Sequence, residues 1–360
     1  MQRLTEIRAQ WNVKIFDQTP GSFEELALEA FDYQYHQNSV YHAFVDALRI
    51  DPTRVSTLEK IPFLPISFFK TASVFSSPPP TVSQGSDREE TPNVAPLHYK
   101  SGAPDPSPKP LIFESSGTTG TVPSVHQVAD ASLYEKSFMQ GFTRQFGTPS
   151  NWCILALLPS YLERNNSSLV YMTNRLIEQS THNKSGFYLH DLQTLHATLQ
   201  QLEQQQQPTL LLGVSFALLD LARAFPLPLR HTTVIETGGM KGRGPELTRE
   251  ELHEILKQAF GVSAIGSEYG MTELLSQGWS TGTGLFETPP WMRVLVREEH
   301  DPLSVHREGT GALNIIDLAN IDSCCFIATE DHGRVFTNGN FEVRGRLDQA
   351  EWRGCSLLTV

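Results

Sequence analysis

Apolar and polar positions repeat with two different periods along this 360-residue chain, and the changes of period mark out its elements. Residues 22–50, "SFEELALEAFDYQYHQNSVYHAFVDALRI", set apolar and aromatic side chains at helical spacing until Asp51-Pro52 ends the run. In "IPFLPISFFKTASVF", prolines at 62 and 65 forbid a regular helix, and the aromatics at 63, 68 and 69 suit either a core or the lining of an apolar pocket. Further on, unbroken apolar runs ("WCILALLP", "TLLLGVS", "HTTVIETGG", "VSAIGSEYG") alternate with helical stretches such as "DLQTLHATLQQLEQQQQ" and "ELTREELHEILKQAF". Buried strands alternating with helices predict an α/β fold with mostly parallel sheets flanked by helices. After Gly309, "GALNIIDLAN", "CCFIATEDHGRVF" and "FEVRGRLD" read as antiparallel strands, a small β-rich C-terminal part.

The pattern divides the chain into a helical N-terminal scaffold over 1–75, a Pro/Ser-rich loop over 76–110, an α/β core over 111–308 and the β-rich part over 309–360. The loop's composition buries too little apolar surface to offset its ordering entropy, so a mobile surface segment is expected there. With 39% hydrophobic residues the rest can supply a sizeable core. A formal charge of −12 and no basic patch argue against nucleic acid as a partner. The N-terminus lacks a secretory core and the longest apolar run, "TLLLGVSFALLDLA", is too short for a membrane span, so a cytoplasmic protein is expected. Cys153, Cys324, Cys325 and Cys355 form no C-x-x-C pair and read as reduced thiols, with Cys324 and Cys325 in the core of an apolar strand. Oligomeric state leaves no mark in the sequence.

Five fragments carry chemistry. "ESSGTTGTVPS" (114–124) follows a short strand, and its glycines leave backbone N–H groups and hydroxyls free to converge on phosphate oxygens. Alone it is equally an ordinary polar loop, and it lacks the Gly-Lys ending of a Walker loop. "IETGGMKGRG" ends a strand in two glycines where a flat ring can lie against bare backbone. In "SEYGMTELLSQ", Tyr269 suits stacking on a base, Thr272 a phosphate oxygen and Glu273 a hard divalent cation. "ATEDHGRV" offers Asp331 for ribose hydroxyls, and "VRGRLD" offers Arg346 for a phosphate or carbonyl oxygen.

In this order the fragments resemble the adenylate-forming superfamily of acyl-CoA synthetases. Within it they are similar to the branch of phenylacetate-CoA ligases and bacterial bioluminescence acyl-protein synthetases (fatty-acid–protein ligases). The resemblance spans roughly residue 61 to the C-terminus. "IPFLPISFFK", "SEYGMTELLSQ" and the ending "RGCSLL" look most like the acyl-protein synthetase type. It implies the large N-terminal domain of adenylate-forming enzymes, with 111–308 as a nucleotide-binding core and 309–360 ending near the hinge segment. It implies ATP and Mg2+ as cofactors. Ser115, Ser116, Gly117, Thr118, Thr119 and Gly120 would embrace the triphosphate, and Gly238, Gly239 and Met240 would flank the adenine on which Tyr269 stacks. Thr272 would contact the α-phosphate and the substrate carboxylate, Glu273 would bind magnesium, Asp331 would accept from ribose, and Arg346 would reach ribose or phosphate. "LLPSYLERNNSSLVYM" lies where the superfamily builds its acyl pocket, making Tyr161, Arg164, Asn165 and Ser168 pocket candidates.

Two departures from the family matter. Pro123 is followed by Ser124 where the family loop usually has lysine, and the chain stops just after the Gly-Arg-x-Asp segment, without the C-terminal lid domain and its catalytic lysine. Compensating charge would come from magnesium and from His126, Lys70, Lys241, Arg243 or Arg334, which the sequence cannot rank. The resemblance implies an acylated cysteine near the C-terminus, and Cys355, close to Arg353, fits. The expected function is ATP-dependent activation of a carboxylic acid, by family resemblance a fatty acid, then thioester formation on Cys355 and transfer to a partner such as a reductase or carrier. Two alternatives stay open: a ligase acting on CoA, a carrier protein or an amine in trans, and a degenerate adenylate-binding scaffold.

Overall fold

The computed structural model describes residues 7, 10–17, 22–76, 110–115, 122–159, 166–238 and 247–347. In chain order the strands are β1 (Leu64–Pro65), β2 (Leu111–Glu114), β3 (Val125–Val128), β4 (Cys153–Leu157), β5 (Gly186–Phe187), β6 (Thr209–Val214) and β7 (Thr232–Thr237). They continue as β8 (Gly266–Tyr269), β9 (Gly278–Ser280), β10 (Met292–Arg297), β11 (Val305–His306), β12 (Gly309–Asp317), β13 (Phe326–Val335) and β14 (Phe341–Arg346). The helices are α1 (Ser22–Gln37), α2 (Ser39–Ala47), α3 (Phe68–Thr71), α4 (Ala131–Phe146), α5 (Ser168–Ser180), α6 (Leu192–Gln204), α7 (Ser215–Ala224) and α8 (Arg249–Phe260).

The unbroken apolar runs become the middle of a six-stranded sheet ordered β5-β4-β6-β7-β8-β9, parallel throughout except where β9 turns back against β8. Every residue of β4 and β6 is buried, as expected of strands covered by helices on both faces. A second sheet runs β1-β13-β12-β10-β11, with β14 added to β13; its pairs are antiparallel except β1 with β13. The fold is therefore mixed α/β, with the parallel pairing concentrated in the first sheet. β2 and β3 form a separate antiparallel hairpin, and residues 116–121 at its tip lie outside the described residues. So does most of the Pro/Ser-rich loop, residues 77–109.

The N-terminal helices are fastened to the C-terminal strands by buried polar contacts as well as by packing. Gln34 of α1 is fully buried; its amide donates to the carbonyls of Asn320, Ile321 and Ser323, and its oxygen accepts from the N–H of Cys325. Asn38 caps α2 through the Tyr41 N–H at 3.0 Å and donates to Ser323 O at 2.8 Å. Trp11 donates to Leu318 O at 2.7 Å. These bonds satisfy the irregular backbone between β12 and β13, whose burial without partners would be costly. Among the described residues no helix is long and apolar enough to cross a membrane.

Candidate functional site

β8 ends in Tyr269 at the carboxyl edge of the parallel sheet, where open α/β sheets bind ligands. Its phenol donates to Asp331 Oδ2 at 2.7 Å. Asp331 lies on β13 opposite Arg346 of β14, and Arg346 Nε stands 3.5 Å from Asp331 Oδ1. Three residues from separate fragments thus form one chain of contacts. The Tyr269 ring is 8% exposed, edge-on to Phe341 at 5.2 Å and tilted against Phe286 at 5.7 Å. Burial and the neighbouring Asp331 charge push its phenol well above the ordinary range, so it stays a donor.

The turn after Tyr269 is held from three sides. His126 Nδ1, on β3, donates to the carbonyl of Thr272 at 2.7 Å, and Asn320 Nδ2 donates to the carbonyl of Glu273 at 2.8 Å. Asp317, fully buried at the end of β12, accepts from Leu275 N (2.8 Å), Ser276 N (2.9 Å) and Ser276 Oγ (2.6 Å). Burial pushes Asp317 up to about 6 even though these donors favour its ionised form. Glu273, held in this turn, is 4% exposed. Burial raises its pKa, opposed by a hydrogen bond from Ser124 and by the charges of Arg346 and Lys70. Lys70 lies in the short helix α3, which follows β1, the strand paired with β13.

The neck of the Ser/Gly/Thr loop is closed by Ser115 N donating to Ser124 O at 3.0 Å and by Ser124 N donating to Ser115 Oγ at 2.8 Å. Ser124 is buried, and its hydroxyl opposes the rise in the Glu273 pKa. Ser116, Gly117, Thr118, Thr119 and Gly120 lie outside the described residues. The hairpin is tied to the entry of α5, because Glu114 N donates to Asn166 O at 2.8 Å and Asn166 Nδ2 to Glu114 Oε2 at 2.9 Å. Ser168 opens that helix and its carbonyl accepts from Tyr134 Oη at 2.9 Å; Tyr161, Arg164 and Asn165 lie outside the described residues.

At the end of β7, Gly238 has φ +68°, which the glycine permits, and its carbonyl accepts from Ser215 Oγ. Gly239, Met240, Lys241 and Arg243 are outside the described residues. Two buried carboxylates flank this strand end. For Glu236, burial pushes the pKa up, but His253, Arg249 and Ser267 outweigh it and the net shift is downward. Glu268 is pushed up to about 7 by burial, with the Thr237 hydroxyl opposing and the Glu236 charge adding to the rise. A Cβ at Gly270 would sit 2.4 Å from Glu268 Oε1, so only glycine lets the carboxylate lie there.

Of the candidate cations among the described residues, Lys70 is the one whose charge acts on Glu273, together with that of Arg346. His126 is not one: it is fully buried, donates through Nδ1 and is pushed down to about 4 by desolvation, hence neutral at physiological pH. Its Nε2 has no partner among the described residues. Arg334 stacks over the Phe336 ring at 4.8 Å. Cys355 lies outside the described residues, while Cys153, Cys324 and Cys325 are buried thiols; burial raises Cys153 to about 11 and Cys324 to about 12. The tethering residues Asn320, Asp317 and His126 were not legible as such, since each acts on a segment far away in sequence.

No protein-family model matches the chain, and no curated protein matches its sequence. Solved structures similar to it include ATP-bound MatB from Rhodopseudomonas palustris, with 16% identity, 65% of this chain and 47% of that chain covered, and a TM-score of 0.48. The amide bond synthetase McbA from Marinactinospora thermotolerans has 16% identity over 75% of this chain and 55% of its own, with a TM-score of 0.44. The luciferase-like enzyme from the nonluminescent Zophobas morio mealworm has 17% identity over 71% of this chain and 62% of its own, with a TM-score of 0.46. The chain spans about half the length of the first of these. Identity and fit are both low, and the chemistry of the site rests on this chain's own residues.

Proposed function

We propose that this protein is an ATP-dependent acyl-activating ligase of the adenylate-forming superfamily, acting on a carboxylic acid, with a fatty acid as the favoured class. The observation that carries this reading is the contact chain Tyr269–Asp331–Arg346 beside Glu273, itself tied to the hairpin that bears the Ser/Gly/Thr loop. A carboxylate 4% exposed, whose burial cost is opposed by the Ser124 hydroxyl and by the charges of Arg346 and Lys70, is an expensive arrangement for packing alone and a suitable one for a polyphosphate site.

In the reaction, a carboxylate oxygen of the acid attacks the α-phosphorus of ATP. The Pα–O bond to the β-phosphate breaks, and pyrophosphate leaves as acyl-adenylate forms. Thr272 and Arg346 orient the reacting oxygens, Asp331 accepts from the ribose hydroxyls, and Lys70 supplies the positive charge that Ser124 lacks. Glu273 fits Mg2+: among the described residues no cluster of three metal-ligating side chains exists, and magnesium with nucleotides commonly takes only one or two protein carboxylates, the phosphates and water completing its shell. When bound, the ion would neutralise phosphate charge. The thiolate of Cys355 then attacks the acyl carbonyl, a C–S bond replaces the C–O bond to the phosphate, and AMP departs. The thioester keeps the acyl group activated for a protein partner.

The test is acid-dependent exchange of labelled pyrophosphate into ATP, together with intact-mass detection of an acyl adduct. Glu273→Ala is expected to abolish exchange. Cys355→Ser is expected to keep exchange and lose the hydroxylamine-labile adduct. Full exchange in Glu273→Ala would refute the site; an undiminished adduct in Cys355→Ser would move the acceptor elsewhere.

A further inference from the structure

Between the segment that follows α2 and the β10–β11 edge of the second sheet lies a cavity of about 710 Å³, within the size range of small-molecule sites. Leu48, Phe63, Ile66, Leu303 and Ala328 give it apolar walls, and Leu303 is 52% exposed at its surface. None of Tyr269, Thr272, Glu273, Asp331 or Arg346 lines it. It is therefore separate from the site described above.

Arg297 forms part of its wall. A register shift lies between Ala312 and Asn314 of β12, at Leu313. The Arg297 guanidinium donates to Leu313 O at 2.9 Å, to Asn314 Oδ1 at 2.7 Å and to Thr329 O at 2.5 Å. All three acceptors are neutral, and two of the five guanidinium N–H donors stay unassigned. Burial pushes Arg297 down to about 10, with the Asp331 charge opposing, so it remains a cation at neutral pH. Asp331 itself is engaged by Tyr269 and Arg346. Elsewhere on the wall, Asp51 pairs with Arg54 and Glu59 with Arg307, and Lys60 and Glu330 also line it, Lys60 on an exposed rim position. A half-buried cation whose hydrogen bonds go to neutral oxygens alone, with the Asp331 carboxylate already engaged elsewhere, stands beside an apolar cavity and is complementary to an apolar molecule with one anionic end.

We propose that this cavity is a second binding site, one that takes an apolar monocarboxylate with its tail against Phe63, Ile66 and Leu303 and its carboxylate toward Arg297. The proposal does not depend on the activation reading, because Glu273 does not line this cavity and the acid held here needs no nucleotide.

The experiment is a fluorescence titration of the full chain with 11-(dansylamino)undecanoate, without ATP. Arg297 also holds backbone carbonyls, so the variants avoid it. Leu303→Glu changes a surface position and sets a like charge at the mouth; Ala328→Phe fills the cavity. Each is expected to weaken binding about tenfold or more with unchanged circular dichroism, while Glu273→Gln leaves binding within about twofold. The matching alcohol is expected to bind about tenfold more weakly than the acid. Absence of binding, binding indifferent to both cavity variants, or binding lost in Glu273→Gln would overturn the proposal, and equal binding of acid and alcohol would overturn the role of Arg297.

Discussion

Glu268 makes a prediction that needs no ligand. Its carboxyl is 8% exposed, one oxygen accepts from Thr237 Oγ1, and the other lies against Gly270 near Gln277, whose own Oε1 has no partner among the described residues. In the unfolded chain it titrates near 4.5; burial raises it to about 7 in the fold. Below pH 4.5 it is protonated in both states and costs nothing. Between pH 4.5 and 7 the folded chain keeps a proton that the unfolded chain has released, so stability falls with rising pH and levels off above 7. At about 1.4 kcal/mol per pH unit, the loss amounts to roughly 3 kcal/mol. Glu268→Gln keeps an acceptor for Thr237 and removes the ionisation. In guanidinium unfolding at pH 4 and pH 8, the variant should gain roughly 3 kcal/mol on wild type between the two pH values, the other titrating groups cancelling. An equal difference at both pH values, or a variant weaker at pH 8 than at pH 4 relative to wild type, would refute the claim that Glu268 is protonated in the fold near neutrality.

Other outcomes follow from the same geometry. Asp317→Ala leaves the Leu275 and Ser276 donors unsatisfied in a buried turn, and calorimetry should show a loss of roughly 2–4 kcal/mol. Because that turn carries Thr272 and Glu273, pyrophosphate exchange should also fall at temperatures where the variant is still folded. Arg307 bonds Glu24 and Glu59, and that contact is the largest influence holding Glu59 down at about 2, yet Arg307 is half exposed. Solvent screening should confine the cost of Arg307→Ala to below about 1 kcal/mol, shrinking further in 1 M salt; a loss of several kcal/mol would contradict this. Asp331→Ala is expected to raise the KM for ATP in the exchange assay, because Asp331 meets the nucleotide only through ribose in the proposed site.

Strand and helix identity was legible where periodicity is strong. The runs around Cys153, Thr209, Thr232 and Gly266 became adjacent strands of one sheet, because unbroken apolar segments have few places to lie except a sheet interior; Cys324 and Cys325 are core as expected but lie in the turn just ahead of β13, which begins at Phe326, and not inside a strand. The antiparallel strands expected after Gly309 also formed, although only β13 alternates in burial, β12 being buried along most of its length. The motifs named Tyr269, Asp331 and Arg346, but not that they touch one another. What sequence pattern does not encode is contact at long separation. Gln34 serves carbonyls 286 to 289 residues away, and nothing in helix α1 distinguishes it from a surface glutamine. His126 reads as an available charge by residue type, whereas burial on β3 makes it a neutral donor to Thr272. The charge of Lys70 acts on Glu273, far away in sequence, because β1, just ahead of the short helix α3, joins β13.

The central claim, that the residues around Glu273 activate a carboxylic acid with ATP, is tested most directly by pyrophosphate exchange with purified protein, Mg-ATP and a panel of fatty and aryl acids. The account predicts exchange that depends on the acid, is supported by at least one fatty acid, and disappears in Glu273→Ala. Acid-independent exchange, or exchange that survives intact in Glu273→Ala, would contradict it.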